Sequence, residues 1–314
     1  MSLLVDDNEK YPQVQWDTPI GQLIRDDFVL EDEYVTNHVT IEDALSHRTG
    51  LPRHDQAYGG TYDGHRATVK DVVRSMRYLP LTAEIRTHFQ YCNLMFMVAS
   101  HVIETLTGEW LGDVMARRIW KPLGMTGTFF STEDAIRAKE DLARGYYFED
   151  GRYHHVPWMA LDEVTGAGSV ISNVVDYCKW ARALMNRIEG LPLSKSGFDE
   201  IWRARIALPE EEPFTGPRAY ALGWFCGVYR GQRYFEHTGG MDAFGAELII
   251  FPDLQFSVVA LANTAGTSNY LEKALAFHLI DNKLNVPVAQ RFDWNQTYVH
   301  MMHHPQWFDI YIYK

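Results

Sequence analysis

The order in which two hydrophobic periods follow one another limits the fold of this chain more than any other feature. Up to about residue 215 apolar residues recur at helical spacing. They run Leu94, Val98, Val102 and Leu106 after Tyr91, then Leu111, Val114, Met115 and Ile119 before Pro122 and Gly124. Val174, Tyr177, Cys178, Ala181, Leu184, Met185 and Ile188 form the cleanest amphipathic stretch. After about Pro217 the period drops to two, with Tyr220, Leu222, Trp224, Cys226 and Val228 alternating with opposite-facing residues. Arg230-Gly231-Gln232 reads as a turn into a strand ending near His237, and Ala246 to Phe251 and Phe256 to Ala262 as a hairpin about Pro252-Asp253. A helix from about Asn269 to Leu279 can pack on that sheet. Helices first and an antiparallel meander last give an α+β fold, not a doubly wound parallel sheet.

Local signals refine the frame. Thr40-Ile41-Glu42-Asp43 and Thr68-Val69-Lys70-Asp71 read as helix-opening caps, Gly50 with Pro52 as a stop, and Gly108 as a helix end. The first forty residues, acidic and interrupted by Pro12, Pro19 and Gly21, suit a connecting segment. The expected organisation is one domain over 1–290, helical over about 40–215 and sheet over about 217–280. An aromatic tail over 291–314 has no clear period and is left unassigned.

Composition narrows the function classes. A chain of 314 residues, 46 % apolar, can bury a sizeable core. Its 41 acidic against 29 basic residues give a net charge of −12, which repels a phosphate backbone and argues against nucleic acid as a partner. The longest apolar runs, such as Leu248-Ile249-Ile250-Phe251, fall far short of the roughly 20 residues that cross a bilayer. The start, Met1 to Asp7, lacks the basic region of a secretory signal, so a cytoplasmic location is expected. The three cysteines, Cys92, Cys178 and Cys226, are odd in number and widely spaced, which suggests neither a disulfide framework nor a zinc site.

No Gly-x-Gly-x-x-Gly or Walker loop is present, so no nucleotide cofactor is implied. His300, His303 and His304, and the pair His154-His155, lack a carboxylate partner in a metal-binding spacing, so no metal is expected. Two short elements carry more: Tyr91-x-Asn93 at the start of a helix, and His237-Thr238-Gly239-Gly240 on or beside a strand.

The text around these elements resembles the β-lactamase-related serine hydrolases, which take in class C β-lactamases, D-aminopeptidases, esterases and polyketide acyltransferases. Leu45-Ser46-His47-Arg48-Thr49-Gly50-Leu51-Pro52 resembles that family's Leu-Ser-His-Thr-Ser-Gly-Leu-Pro block. Phe89 to Asn93, Pro122 to Thr126, Gly166 to Ser172, Ala221 to Trp224 and His237 to Gly240 follow in family order. The resemblance, which runs from about residue 1 to 285, implies a β-lactamase/transpeptidase-like fold. It also implies an acyl-enzyme reaction on a small-molecule ester, amide or other acyl substrate, with no cofactor. Tyr91 would relay the proton, Asn93 would hold the substrate's polar group, and His237-Thr238-Gly239 would replace a Lys-Thr-Gly. Gly240 would give its N–H to an oxyanion hole.

One element of the family pattern is absent. None of the serines or threonines has lysine three residues later, so the Ser-x-x-Lys nucleophile does not occur, and Gly-x-Ser-x-Gly is missing too. Leu3-Leu4-Val5-Asp6-Asp7 resembles the end of the nucleophile helix. The expectation is a chain that lacks the N-terminal strands and the start of that helix and is inactive as it stands. The competing readings are a pseudoenzyme that keeps the pocket for binding a small molecule, and an enzyme using Cys92 or Ser46 as nucleophile.

Overall fold

The computed structural model describes residues 1–294 apart from 58–59, 63, 140, 162–163, 188–190 and 265–266. Ile188, His300, His303, His304 and all but the start of the aromatic tail therefore lie outside the described residues.

Two capping boxes open the helical layer. Helix α1 (Ile41–Leu45) begins where Thr40 Oγ1 accepts from the Asp43 N–H and the Asp43 carboxylate accepts from the Thr40 N–H. Thr68 and Asp71 repeat the device at α2 (Val69–Ser75). Helix α3 (Asn93–Thr107) starts two residues after Tyr91 and closes on Gly108 at φ +70°, a left-handed turn that glycine adopts without a side-chain clash. Leu94, Met97, Val98 and Val102 of α3 are buried in one cluster with Ile41, Ala44 and Leu45 of α1 and Val72 and Val73 of α2.

The opening forty residues are not a connector. Leu4, Val5, Tyr11, Val14, Ile20, Ile24, Phe28, Leu30 and Val35 all belong to that same core cluster. Pro12 and Pro19 interrupt this stretch, which folds as short helices, Ser2–Val5, Ile20–Leu23 with Gly21 inside it, and Glu33–His38, so its apolar residues show no period although they are buried.

Strands β1 (Gly145–Glu149) and β2 (Arg152–Val156) form a separate antiparallel hairpin inside the helical half. Both faces carry aromatic residues, and most of the hairpin, including Phe148 and Tyr153, is exposed, so the alternation that marks a half-buried strand is missing. The main sheet is an antiparallel meander of six strands, β3 (Ile206–Leu208), β4 (Arg218–Tyr220), β5 (Phe225–Tyr229), β6 (Gln232–Met241), β7 (Phe244–Phe251) and β8 (Phe256–Ala262), in spatial order β8-β7-β6-β5-β4-β3.

Two sequence expectations change here. The alternating stretch from Tyr220 to Val228 is not one strand: Gly223, at φ +81°, turns the chain, and the Ala221 N–H donates to Trp224 O at 2.7 Å to close the hairpin. Strand β6 does not end near His237 but continues to Met241, with Thr238↔Glu247, Gly239↔Ala246 and Gly240↔Gly245 in register. The ladder with β7 holds a Thr-Gly-Gly run that has little strand propensity of its own.

Helix α4 (Val174–Asn186) lies on one face of the sheet, where Ala181 and Leu184 cluster with Leu248 and Ile250. Helix α5 (Thr267–Lys283) covers the other, with Phe277 and Ile280 against Tyr229, Tyr234, Ile249 and Phe251. Among the described residues no strand pairs with the outer side of β8, and Leu271, Leu275 and Leu279 of α5 stand exposed beside it. No helix among the described residues is long and apolar enough to cross a membrane.

Gly50 fixes the loop that leads to the site. At φ +83° its carbonyl accepts from the N–H groups of Thr82 and Ala83, and a Cβ there would lie 2.1 Å from Ala83 O. Gly50→Ala is expected to destabilise the fold by about 2 kcal/mol or more, from left-handed strain plus a backbone clash. Urea unfolding measures it, and a midpoint unchanged from wild type would contradict it.

Candidate active site

A cleft of about 1760 Å³ lies between the helical layer and the end of the sheet, and it gathers the sequence-predicted residues. Tyr91 and Asn93 reach it from the start of α3. His237, Thr238, Gly239 and Gly240 reach it from β6, and Gly166 to Ser172 from the loop before α4. Strand β5 accompanies β6 only as far as Phe225↔Glu236, so His237–Met241 runs past the end of that neighbour and forms a wall of the cleft. The Gly239 carbonyl accepts from Asn269 Nδ2 at 2.7 Å, which ties this wall to α5.

Tyr91 and His237 face one another with ring centroids 6.1 Å apart. Burial lowers the His237 pKa below its ordinary value, although the Thr238 carbonyl and Glu236 pull the other way. Its Nδ1–H donates to Thr238 O at 2.6 Å, and Nε2 accepts from the Tyr220 hydroxyl at 2.9 Å. Burial holds that hydroxyl's pKa well above the usual phenol range, so Tyr220 keeps its proton and remains the donor. A neutral imidazole with both nitrogens engaged is not the fixed cation that a lysine would supply at this position.

Behind Tyr91 lies His47, fully buried with its ring 4.1 Å from the tyrosine ring. Its Nδ1 accepts from the Cys92 N–H at 3.0 Å, so the proton sits on Nε2. Burial, and then the neighbouring His237 and the Arg53 guanidinium, drive its pKa well below the ordinary histidine value. The Gln90 N–H donates to His47 O at 2.8 Å, so the segment entering α3 is held at two points by one residue. Sequence patterning gives His47 no such role, because the contacts link residues more than forty positions apart.

Arg53 and Asp55 also went unrecognised in the sequence. The Arg53 guanidinium lies 4.9 Å from the Tyr91 ring centroid and pairs with Asp55 at 2.5 Å. Asp55 Oδ1 accepts from Asn93 Nδ2 at 3.1 Å. The only available signal was position, immediately after Leu51-Pro52.

The alternative nucleophiles fare poorly. Cys92 is fully buried, and burial pushes its thiol up to about 12, the opposite of the lowered pKa that makes a thiolate nucleophile. Ser46 is buried too, and its hydroxyl donates to Glu42 O at 2.6 Å. Of the serines lining the cleft, Ser169 donates to Leu161 O and Ser172 shares a hydrogen bond with Thr128. His154 and His155 lie on β2, where His154 stacks on Tyr147. Among the described residues no group of three or more His, Cys, Asp or Glu side chains is arranged to hold a metal ion.

Comparison with known proteins agrees with this architecture. The chain is 54 % identical over 300 residues to the unguisins hydrolase ungD' of Aspergillus campestris, covering 95 % of this chain and 56 % of that protein. It is 25 % identical over 210 residues to a D-aminopeptidase of Cereibacter sphaeroides, covering 63 % of this chain and 37 % of that protein. It thus spans little more than half the length of the first of these relatives and less of the second. The octameric penicillin-binding protein homologue from Pyrococcus abyssi has the same fold, with a TM-score of 0.76 at 21 % identity over 90 % of this chain and 63 % of that one. The β-lactamase family profile matches residues 2–281, and the chain belongs to the β-lactamase family.

Proposed function

We propose that this cleft is the substrate-holding and proton-relay part of a hydrolase site that acts on amides, or on esters, through an acyl-enzyme. The observation that carries the reading is the apposition of Tyr91 and a neutral His237 across a cleft walled by the free end of β6. In this reading Tyr91 passes a proton to the leaving group. Asn93, Thr238 and Gly239 hold the substrate's polar groups, and the Gly240 N–H forms half of an oxyanion hole. The neutral His237 places no fixed positive charge where a substrate carboxylate would otherwise be gripped, which favours a neutral amide or ester. The names of the relatives, a hydrolase and an aminopeptidase, support water as acceptor and an amide as substrate. The cleft exceeds the roughly 300–1,000 Å³ of ordinary ligand pockets, so a ligand longer than one residue fits.

Ser-x-x-Lys does not occur in the chain, and Cys92, Ser46, Ser169 and Ser172 are each buried, hydrogen-bonded or both. These residues by themselves therefore hold substrate without forming an acyl-enzyme. The same observation favours a second reading, a small-molecule binding protein that retains the pocket.

Three measurements test the proposal. A fluorophosphonate probe should leave no adduct on the purified chain, and a chromogenic acyl ester should turn over at the buffer rate. The uncharged N-acetyl-D-phenylalanyl-D-alaninamide should bind by calorimetry and weaken about tenfold or more in Asn93→Ala, the scale of a lost hydrogen bond that leaves its partner unsatisfied. A labelled serine, or turnover abolished by Tyr91→Phe, would overturn the claim that the chain lacks its nucleophile. Absence of binding would overturn the substrate-holding role.

A further inference from the structure

The Arg53–Asp55 pair touches both functional members of Tyr91-x-Asn93 at once. Arg53 lies against the Tyr91 ring, and Asp55 accepts from the Asn93 side chain. Their side chains are only 28 % and 21 % exposed, so the pair is sheltered enough for its geometry to matter, unlike an ion pair in open water. Both residues line the cleft.

The chemistry of a carboxylate decides which way Asn93 is turned. An ionised Asp55 has no hydrogen to give and can only accept, so the amide nitrogen of Asn93 must face it. A carboxamide is planar, with oxygen and nitrogen on opposite branches, and fixing the nitrogen on Asp55 directs the oxygen away from it. Arg53, holding the second carboxylate oxygen, keeps Asp55 from rotating out of this arrangement.

We propose that Asp55, clamped by Arg53, is a positioning residue that presents the Asn93 carbonyl oxygen to the ligand, so that the site selects substrates offering an N–H at that point over those with an ester oxygen there. The inference rests on the substrate-holding role given to Asn93 above and refines it from "amide or ester" to amide. An ester oxygen facing the Asn93 oxygen sets two acceptors against each other and leaves both without a donor, which is how a site built for an N–H rejects its oxygen analogue. Replacing Asp55 by asparagine removes the constraint, because an asparagine side chain can donate as well as accept and lets Asn93 turn over.

Two readouts test this, one of them without any ligand. In protein labelled with ¹⁵N-asparagine, with the Asn93 side-chain signals identified by their loss in Asn93→Asp, exchange of the Asn93 carboxamide protons with water should accelerate about tenfold or more in Asp55→Ala. In Asp55→Glu it should return towards wild type. The second readout compares binding of the uncharged N-acetyl-D-phenylalanyl-D-alaninamide with its depsipeptide N-acetyl-D-phenylalanyl-D-lactamide, in which one N–H becomes oxygen. Wild type should prefer the peptide by about tenfold or more, and Asp55→Asn should reduce that preference to within about twofold while its melting temperature stays near wild type. Unchanged exchange in Asp55→Ala, or an undiminished preference in Asp55→Asn, overturns the proposal. If neither compound binds wild type, the hydrolase-pocket reading and the selectivity that rests on it both fall. If wild type binds both equally, the selectivity claim falls and the pocket reading stands.

Discussion

Asp43→Ala is expected to destabilise the protein by about 3–5 kcal/mol, the cost of breaking a buried ion pair by removing one partner. Asp43 is fully buried and serves several donors at once. It accepts from the Thr40 N–H at 3.0 Å and the Thr40 hydroxyl at 2.8 Å, from Arg48 Nε at 2.7 Å and from an Arg86 terminal nitrogen at 2.8 Å. Burial alone would raise its pKa, but hydrogen bonds from Arg86, Thr40 and Arg48 outweigh burial and hold it below the ordinary aspartate value. The sign follows: stability from this group is present above the unfolded carboxyl's pKa of about 3.9 and is lost as pH falls through the lower folded value. In the alanine variant two guanidinium groups and a helix cap lose their common acceptor. Asp43→Asn, which keeps the shape and one acceptor, should cost less than Asp43→Ala. Urea denaturation at pH 7 measures both, and a loss under about 1 kcal/mol for alanine would show that water replaces the carboxylate at little cost.

The consequence reaches the site. Helix α1 ends at Leu45, and His47, two residues on, holds the segment that carries Tyr91 through its ring nitrogen and its carbonyl. Loosening α1 therefore frees Tyr91 before the rest of the molecule unfolds. Amide exchange at Cys92 should rise in Asp43→Asn even where global stability is largely kept.

How much of this was legible beforehand depended on whether the determining interactions were local. The capping boxes at Thr40 and Thr68, the left-handed end at Gly108 and the hairpin from Ala246 to Ala262 each depend on residues within a few positions, and each could be read directly. The opening segment could not, because Tyr11, Val14 and Phe28 are buried by contacts with distant helices and obey no period of their own. The extension of β6 through Thr238-Gly239-Gly240 is imposed by β7, not by the propensity of those residues. In the site, Tyr91, Asn93 and His237 to Gly240 could be named because a family pattern carries them. Arg53, Asp55 and the support given by His47 could not, since what marks them is a carboxylate 3.1 Å from an amide 38 positions away and an imidazole bonded across 45. The buried acids beneath β6 escaped for the same reason: Glu236, Glu247 and Glu272 look like ordinary charges on exposed faces until strand and helix are brought together.

Those acids give the second large effect, a stability that falls as the solution is made alkaline. Glu236 on β6, Glu247 on β7 and Glu272 on α5 are 2 %, 1 % and 4 % exposed. They lie directly behind the cleft wall, since Glu247 is the register partner of Thr238. A Cβ on Gly245 would lie within 3 Å of both Glu272 carboxylate oxygens and of Ser268 Oγ, so helix and strand meet closely here. Lys273 is the nearest cation, 3.6 Å from Glu236, with Glu211 and Arg218 acting on it from further out. One lysine cannot neutralise three buried carboxylates. Burial raises Glu247 to about 8, with Glu236 and Glu272 adding to the rise against the pull of Lys273. Burial likewise raises Glu272 to about 7. The folded protein thus holds protons that the unfolded chain gives up near its ordinary carboxyl pKa, about 4.3. Stability from this cluster is complete below that value and is lost progressively as pH climbs to about 8. Since one pKa unit is about 1.4 kcal/mol, and relaxation around the charges returns part of it, the expected loss between pH 5 and pH 9 is on the order of 3 kcal/mol. The buried neutral histidines, His47 and His237, act in the opposite direction as pH rises through the ordinary histidine range. The cleaner quantity is therefore the difference between wild type and Glu247→Gln, in which that contribution cancels. The glutamine variant should match wild type within about 1 kcal/mol at pH 5, where the glutamic acid it replaces is also neutral, and exceed it by about 2–3 kcal/mol at pH 9. Urea midpoints at the two pH values decide it. Parallel pH profiles for the two proteins would mean that Glu247 is ionised in the folded state and that Lys273 carries the compensation for all three acids. If the profiles diverge as expected, the wall that holds Thr238 and Gly240 loosens with rising pH, and binding in the cleft should weaken over the same range in wild type and less in Glu247→Gln.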